Sequence, residues 1–183
     1  MKVAVYGKGH VGGGLADLWE KAGHQVRRLG RNGGDVTDVE VVLISVPGNA
    51  LADAIGKLQG VAGKIVIDAT NRFGVEPPGG FKSNAEFIKS KTNGPTAKSF
   101  NINFAALYHQ LARARAKPSN IWCGDDGARE AVEKLSRDAG YDPVYAGPLT
   151  NAADQEHLIK IIFAINQGGL GPFVYRIAKP EQL

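Results

Sequence analysis

The chain has 183 residues, 43% hydrophobic and 22% charged, with a formal net charge of +4. That length allows one domain with a sizeable core and an appended helix but not two ordinary domains, and the composition excludes the disordered classes. No apolar run approaches the ~20 residues of a membrane-spanning helix, and the opening "MKVAVYG" lacks the apolar region of a signal peptide, so a cytoplasmic protein without a membrane partner is expected. Cys123 is the only cysteine, which excludes an internal disulfide and a thiolate zinc cluster.

Positive charge suits an anionic ligand but also nucleic acid, so its distribution matters. Basic residues cluster in "VRRLGR" and in "LARARAKP", where Arg113 and Lys117 are expected on one helix face; Tyr108 alone lies near enough to stack a base. No nucleic-acid partner is expected.

In chain order, short apolar runs bounded by turn residues alternate with helical patterns. "VAVY" (3–6) reads as a buried strand, followed by a helix with Leu15, Leu18, Trp19 and Ala22 on its inner face. "QVRRL" (25–29) is the next strand. "VVLISV" (41–46) is apolar without alternation, as a parallel strand covered on both faces requires. Residues 30–40 between them are close to the minimum for a parallel crossover, so the usual strand and long helix there are trimmed away. A helix with Leu51, Ala54, Ile55 and Leu58 inward leads to the strand "KIVIDA" (64–69). The Pro- and Gly-rich "RFGVEPPGGFK" (72–82) then reads as a loop at the ligand edge.

Ser83 and Glu86 form a capping-box pattern for the next helix. The strands "AKSFN" (97–101), "NIWCG" (120–124) and "PVYAG" (143–147) follow. Between the last two lies a helix whose inner face is Ala128, Val132, Leu135 and Ala139, capped by Asp125 or Asp126. The alternation predicts an α/β fold with an open, doubly wound, mostly parallel sheet over residues 1–150 and a C-terminal helical extension over 151–183.

Gly7, Gly9 and Gly12 directly follow the first strand and open the first helix, the context that the Rossmann-type dinucleotide fingerprint demands. Gly7 would allow the tight turn, Gly9 the approach of the pyrophosphate and Gly12 close helix–strand packing. The helix N-terminus offers N–H groups and partial positive charge to the phosphates. At the end of the second strand "RRLGRNGG" has no acid before Asp35 to take a ribose 2′-hydroxyl, whereas Arg31 is placed for a 2′-phosphate and Asn32 for a further hydrogen bond. NADP is therefore favoured over NAD. Arg27 and Arg28 are expected to solvate the edge strand.

These blocks together resemble the deazaflavin-dependent NADP oxidoreductases, a fold that recurs in the cytosolic domain of membrane ferric reductases. The resemblance runs through "YGKGHVGGGLA", "GHQV", "VVLISVP", "KIVIDATN", "SNAEF", "AKSFN", "CGDD", "AGPLTNA" with Glu156, and "GGLGPF". It implies a hydride transfer between NADP(H) and a deazaflavin (coenzyme F-420) or flavin acceptor. It also implies that Lys8, Gly9, His10, Val11 and Gly12 hold the pyrophosphate and that Arg31 with Asn32 takes the 2′-phosphate. Val46 and Pro47, Ala69, Thr70 and Asn71, and Asn101 with Ala105 would line the ribose and nicotinamide. Gly30 stands where the family commonly has Ser, removing one 2′-phosphate donor. Hydride transfer between stacked rings needs no nucleophile, and no catalytic residue is assigned.

Other constellations are set aside. "YRIAK" (175–179) matches the Tyr-x-x-x-Lys pair of short-chain dehydrogenases but lies at the wrong end of the chain, and Lys160 lacks the downstream Asn of hydroxyacid dehydrogenases. His109 is expected at the surface or in packing, and the four histidines are too scattered for a metal site. The helix 152–166 is apolar almost all round. A homodimer is expected, in which this helix and the tail 168–173 help cover an acceptor site. An NADP-binding redox sensor without turnover would share the same phosphate loop.

Overall fold

The computed structural model describes residues 1–182. In chain order its elements are β1 (Lys2–Tyr6), α1 (His10–Lys21), β2 (Gln25–Leu29), β3 (Gly34–Asp35), β4 (Val41–Ile44), α2 (Leu51–Gly56), β5 (Leu58–Gln59) and β6 (Ile65–Asp68). They continue with α3 (Asn84–Thr92), β7 (Thr96–Ser99), β8 (Ser119–Gly124), α4 (Arg129–Asp138), β9 (Asp142–Tyr145) and α5 (Ala152–Ile165). Seven strands form one sheet in the order β2-β1-β4-β6-β7-β8-β9. All neighbours are parallel except β7 and β8, which run antiparallel with Ser99 opposite Trp122. The doubly wound α/β fold is therefore present. Strand order turns back at β1 and β4, which puts a crevice at their C-terminal ends, beside the glycine-rich turn.

Helices cover both faces because the central strands are apolar on both. Every residue of β4 is buried. On one side α1 and α4 pack over Val3, Val5, Leu43 and Trp122. Trp19 anchors that layer: its ring meets Phe100 edge to face at 5.8 Å, and its Nε1 donates to the Leu135 carbonyl at 2.9 Å. Burial of so large a ring thus leaves no unpaired donor. Ala16, not Ala22, completes the inner face of α1, since Ala22 is the exposed C-cap. On the other side lie α2, α3 and α5. The inner residues Ala128, Val132, Leu135 and Ala139 of the α4 region are all buried as their spacing predicts.

Local details differ from expectation where side chains found other partners. Ser83 caps α3 by accepting from the Glu86 N–H at 3.1 Å, but the Glu86 carboxylate reaches back to the Lys82 N–H, one residue short of a reciprocal box. Asp125 makes no side-chain cap; its carboxylate accepts from Lys89 Nζ and the Thr96 N–H, both at 2.8 Å. The crossover after β2 contains no helix but keeps a remnant strand, β3, which pairs with β5 in a two-stranded parallel ribbon. Gly33, at φ 67°, allows this, because a side chain there would collide with the Lys57 carbonyl. Arg113 and Lys117 do not share a helix face: the 3₁₀ segment Ala105–Arg113 ends before Lys117, and Ala114 is extended.

Candidate active site

The three fingerprint glycines have separate physical reasons. Gly7 takes φ 114° and lies against the Ser45 carbonyl, where a Cβ would stand 2.6 Å from the oxygen. A Cβ on Gly12 would strike the Gly7 carbonyl and the Ser45 hydroxyl. Ser45 itself donates toward the Tyr6 and Gly7 carbonyls, each at 3.2 Å, so the end of β4 braces the turn. Gly9 is different: it has an ordinary φ of −74°, and nothing of the protein lies within 4 Å of its would-be Cβ. The fold does not need glycine there; a ligand approaching the backbone would. Directly behind it α1 starts at exposed His10 and half-buried Val11 with no side-chain cap and no acidic residue in its first turn. Its leading N–H groups and positive dipole end face the same space, an arrangement that fits a pyrophosphate.

At the end of β2 the arginines sort themselves by their partners. Arg27 holds both oxygens of Asp38 at 2.7 and 3.0 Å, and Arg28 pairs with Asp17 and Glu20, its donation to the Glu20 carboxylate raising its pKa. Arg31, in the exposed turn with Asn32, has no carboxylate partner among the described residues. Beside it the Lys8 ammonium lies 3.9 Å from the point where a Gly30 side chain would begin, also without a carboxylate. Lys8 thus reaches from the phosphate loop toward the end of β2 and brings a second cation to the place where Gly30 withholds a hydroxyl.

The turns that follow β4, β6 and β7 are brought to one edge. Val46 is half-buried and Pro47 exposed. The next residue, Gly48, packs against the Asn71 carbonyl, where a Cβ would stand 2.5 Å from the oxygen. Ala69 and Thr70 are buried, and the Thr70 N–H donates to Asp68 at 2.8 Å. Asn71 and Asn101 bond each other reciprocally: Asn71 Nδ2 donates to the Asn101 carbonyl at 2.6 Å and Asn101 Nδ2 to Asn71 Oδ1 at 3.1 Å. Gln155 of α5 donates to Asn101 Oδ1 at 2.9 Å. Ala105, half-buried, opens the 3₁₀ segment Ala105–Arg113.

Under this edge lies a buried ionic network that sequence reading missed. Lys98 of β7 is fully buried and donates to Asp68 at 2.8 Å, to Glu156 at 3.0 Å and to the Thr70 carbonyl. Glu156 also accepts from Arg72 and from the Asn84 N–H. Burial pushes the Asp68 carboxyl up from its usual range, and the Lys98 ammonium opposes that push. The signal was available: a Lys and an Asp inside apolar strands covered on both faces must be partnered.

Beyond the network a run of aromatic rings joins the loop 72–82 to the C-terminal tail. Phe73 meets Phe163 of α5 at 5.5 Å, Phe163 meets Phe104 at 6.2 Å, and Phe104 meets Phe173 at 5.4 Å. The segments read from the sequence as walls are thus linked through the intervening rings of Phe163 and Phe104. Tyr175 and Lys179 form no proton-relay pair: the Tyr175 hydroxyl is buried without a partner and Lys179 is exposed. Lys160 and His109 are also exposed. Cys123 is buried beside the network, and burial pushes its thiol up to about 12, which leaves it unreactive. No described helix is long and apolar enough to cross a membrane.

No protein-family model and no curated protein sequence matches the chain. Solved structures do. The chain is similar to a candidate F420-dependent NADP-reductase from Arthrobacter sp. FB24, with TM-score 0.77 and 23% identity over 98% of this chain and 100% of that one. It is also similar to a hypothetical protein from Sinorhizobium meliloti, with TM-score 0.63 and 23% identity over 83% and 88% of the two chains. A reductive aminase from Aspergillus terreus, solved with NADPH and ethyl-5-oxohexanoate, matches with TM-score 0.67 and 14% identity over 91% of this chain but only 62% of its own. These likenesses establish the Rossmann-type fold from one end of the chain to the other.

Proposed function

We propose that this protein is an NADP(H)-dependent oxidoreductase that passes a hydride between the nicotinamide and a deazaflavin (coenzyme F-420) or flavin acceptor. The observation that carries the reading is the open N-terminus of α1 behind Gly9, flanked by Lys8 and Arg31, two cations without carboxylate partners. This is the chemistry of a pyrophosphate and a 2′-phosphate read by one loop. The likeness to a candidate F420-dependent NADP-reductase and to a reductive aminase solved with NADPH supports it.

NADPH would supply the hydride; the chain's own residues bind, orient and exclude water. Gly7, Gly9 and Gly12 with the N–H groups of α1 would hold the pyrophosphate. Arg31, Asn32 and Lys8 would take the 2′-phosphate. Val46 and Pro47, Ala69 to Asn71, and Asn101 with Ala105 would line the ribose and nicotinamide. Holding two rings face to face at ~3–3.5 Å is the protein's main contribution, since such a transfer needs no side-chain nucleophile.

The outer side of α5 and the tail expose Ile161, Ile165, Leu170, Val174 and Ile177, with Ile161 at 58% and Leu170 at 64%. This exposed apolar stripe supports the homodimer reading, in which a second copy of the chain would cover it. The experiment that tests the function is a pair of titrations with NADPH and NADH, followed by mixing NADPH-loaded protein with F-420 or FMN. Tighter binding of NADPH and acceptor-dependent loss of the nicotinamide absorbance are the expected results.

A further inference from the structure

We propose that Phe73 is the residue that positions the acceptor ring, and that Arg72 holds it in place through the buried network. The inference rests on the oxidoreductase reading and adds to it a named side chain and the class of group it receives, a flat apolar ring.

Phe73 is 66% exposed, an unusual place for a phenylalanine on a short loop, and Phe163 is its aromatic partner. The residue just before it is anchored at both ends of its guanidinium. Arg72 donates to Glu156, which Lys98 and the Asn84 N–H also grip, and its Nη2 donates to the Lys82 carbonyl at 3.1 Å. One guanidinium therefore ties the first residue of the loop to its last and fastens both to α5, closing residues 72–82 into a compact loop. Between these ends the chain is permissive: Gly74, Gly79 and Gly80 all have positive φ, and Val75 and Phe81 are exposed.

Asn71, the neighbour of Arg72, belongs to the turn that bonds Asn101 at the nicotinamide edge. Phe73 is thus two residues from that edge and starts the aromatic run that ends at Phe173 of the tail. A ring set beside the nicotinamide would meet this wall in the edge-to-face geometry that Phe163 already uses toward Phe73 and Phe104. Continuity with the cofactor edge favours an acceptor ring here over a second copy of the chain, whose stripe lies on the outer side of α5.

The test is binding in the absence of turnover, with FMN and F-420 as probes, their fluorescence anisotropy being followed in the presence of NADP+. Phe73→Ala, a surface change that leaves the fold intact, should weaken probe binding about 10-fold, while Phe73→Tyr restores it to within about 2-fold and NADPH affinity is unchanged. Arg72→Lys should weaken the probe similarly and also speed hydrogen exchange of the Lys82 and Asn84 amides, which donate to Glu86 and Glu156, whereas Phe73→Ala leaves both unchanged. Probe binding unchanged in Phe73→Ala would overturn the proposal while leaving the oxidoreductase reading standing, and so would a shift in the monomer–dimer equilibrium in its place. Failure of the wild type to bind either probe would instead remove the acceptor reading, and this inference with it.

Discussion

At the phosphate loop, the groups that would meet a ligand are backbone N–H groups and two cations that the protein itself leaves without carboxylates. Across the crevice, beyond β6, polar side chains are already committed: Asn71 to Asn101, Gln155 to Asn101, Arg72 and Lys98 to Glu156. The difference shows two ways of building one edge. One region is shaped by what backbone conformation permits and leaves charge free for the ligand. The other region spends its charge internally, to fix turns and rings that would otherwise move. Changes to the ligand-facing groups of the first should lose ligand without losing stability; changes to the second should lose stability, or acceptor, without losing the nucleotide.

The largest effect expected is on the first region. Gly9→Val should weaken NADPH by on the order of 1000-fold, ~4 kcal/mol, with circular dichroism and melting unchanged, because its Cβ meets no protein atom but would enter the space proposed for the pyrophosphate. Gly12→Ala makes the opposite case two residues into α1. Its Cβ would strike the Gly7 carbonyl, so the melting temperature should fall. Should Gly9→Val bind NADPH within a few-fold of wild type, the division between the two regions collapses.

Next in size is Lys98→Met, which leaves Asp68 buried without its cation and should cost ~3–5 kcal/mol of unfolding free energy by denaturant titration. The pH dependence follows from sign. Burial already raises the Asp68 carboxyl, and removing Lys98 takes away the charge that opposes this. A carboxyl whose folded value lies above its unfolded value of ~4 favours the folded state below that value and costs stability as pH rises through the folded one. The variant's deficit should therefore be small near pH 4 and grow toward pH 8, and Asp68→Asn in the same background should flatten it. A deficit independent of pH would mean that Lys98 acts only by filling space.

Smaller still is the contribution of single cations at the 2′-phosphate. Arg31→Ala should cost ~1.5–3 kcal/mol for NADPH, the range of hydrogen bonds to charged groups, and almost nothing for NADH. Lys8→Met should show the same selectivity with a smaller loss if its ammonium serves the 2′-phosphate, and equal losses for both nucleotides if it serves the pyrophosphate. Isothermal titration of the two variants against both cofactors distinguishes the cases.

What the sequence disclosed follows the same division. The fingerprint glycines, the seven strands and the inner face of α4 were legible because each rests on local rules: positive φ, close approach, or spacing along one element. Its place past the end of the second strand separates Arg31 from Arg27 and Arg28, but the partners that hold those two, Asp17, Glu20 and Asp38, are set opposite them only by folding. The Lys98 network joins residues 68, 72, 98 and 156, and no spacing rule connects positions so far apart. The exposed Ala22 and the capping box displaced by one residue both fall at helix ends, where competing hydrogen bonds decide.

The central claim is that this edge joins an NADP-specific phosphate site to a site for a hydride acceptor. It is tested most directly by mixing the protein with NADPH or NADH and with F-420 or FMN while following the nicotinamide absorbance. Oxidation of NADPH that needs both protein and acceptor, is far slower with NADH, and loses that preference in Arg31→Ala is the predicted result. Tight NADPH binding with no oxidation by either acceptor would contradict the account and leave a nucleotide-binding sensor in its place.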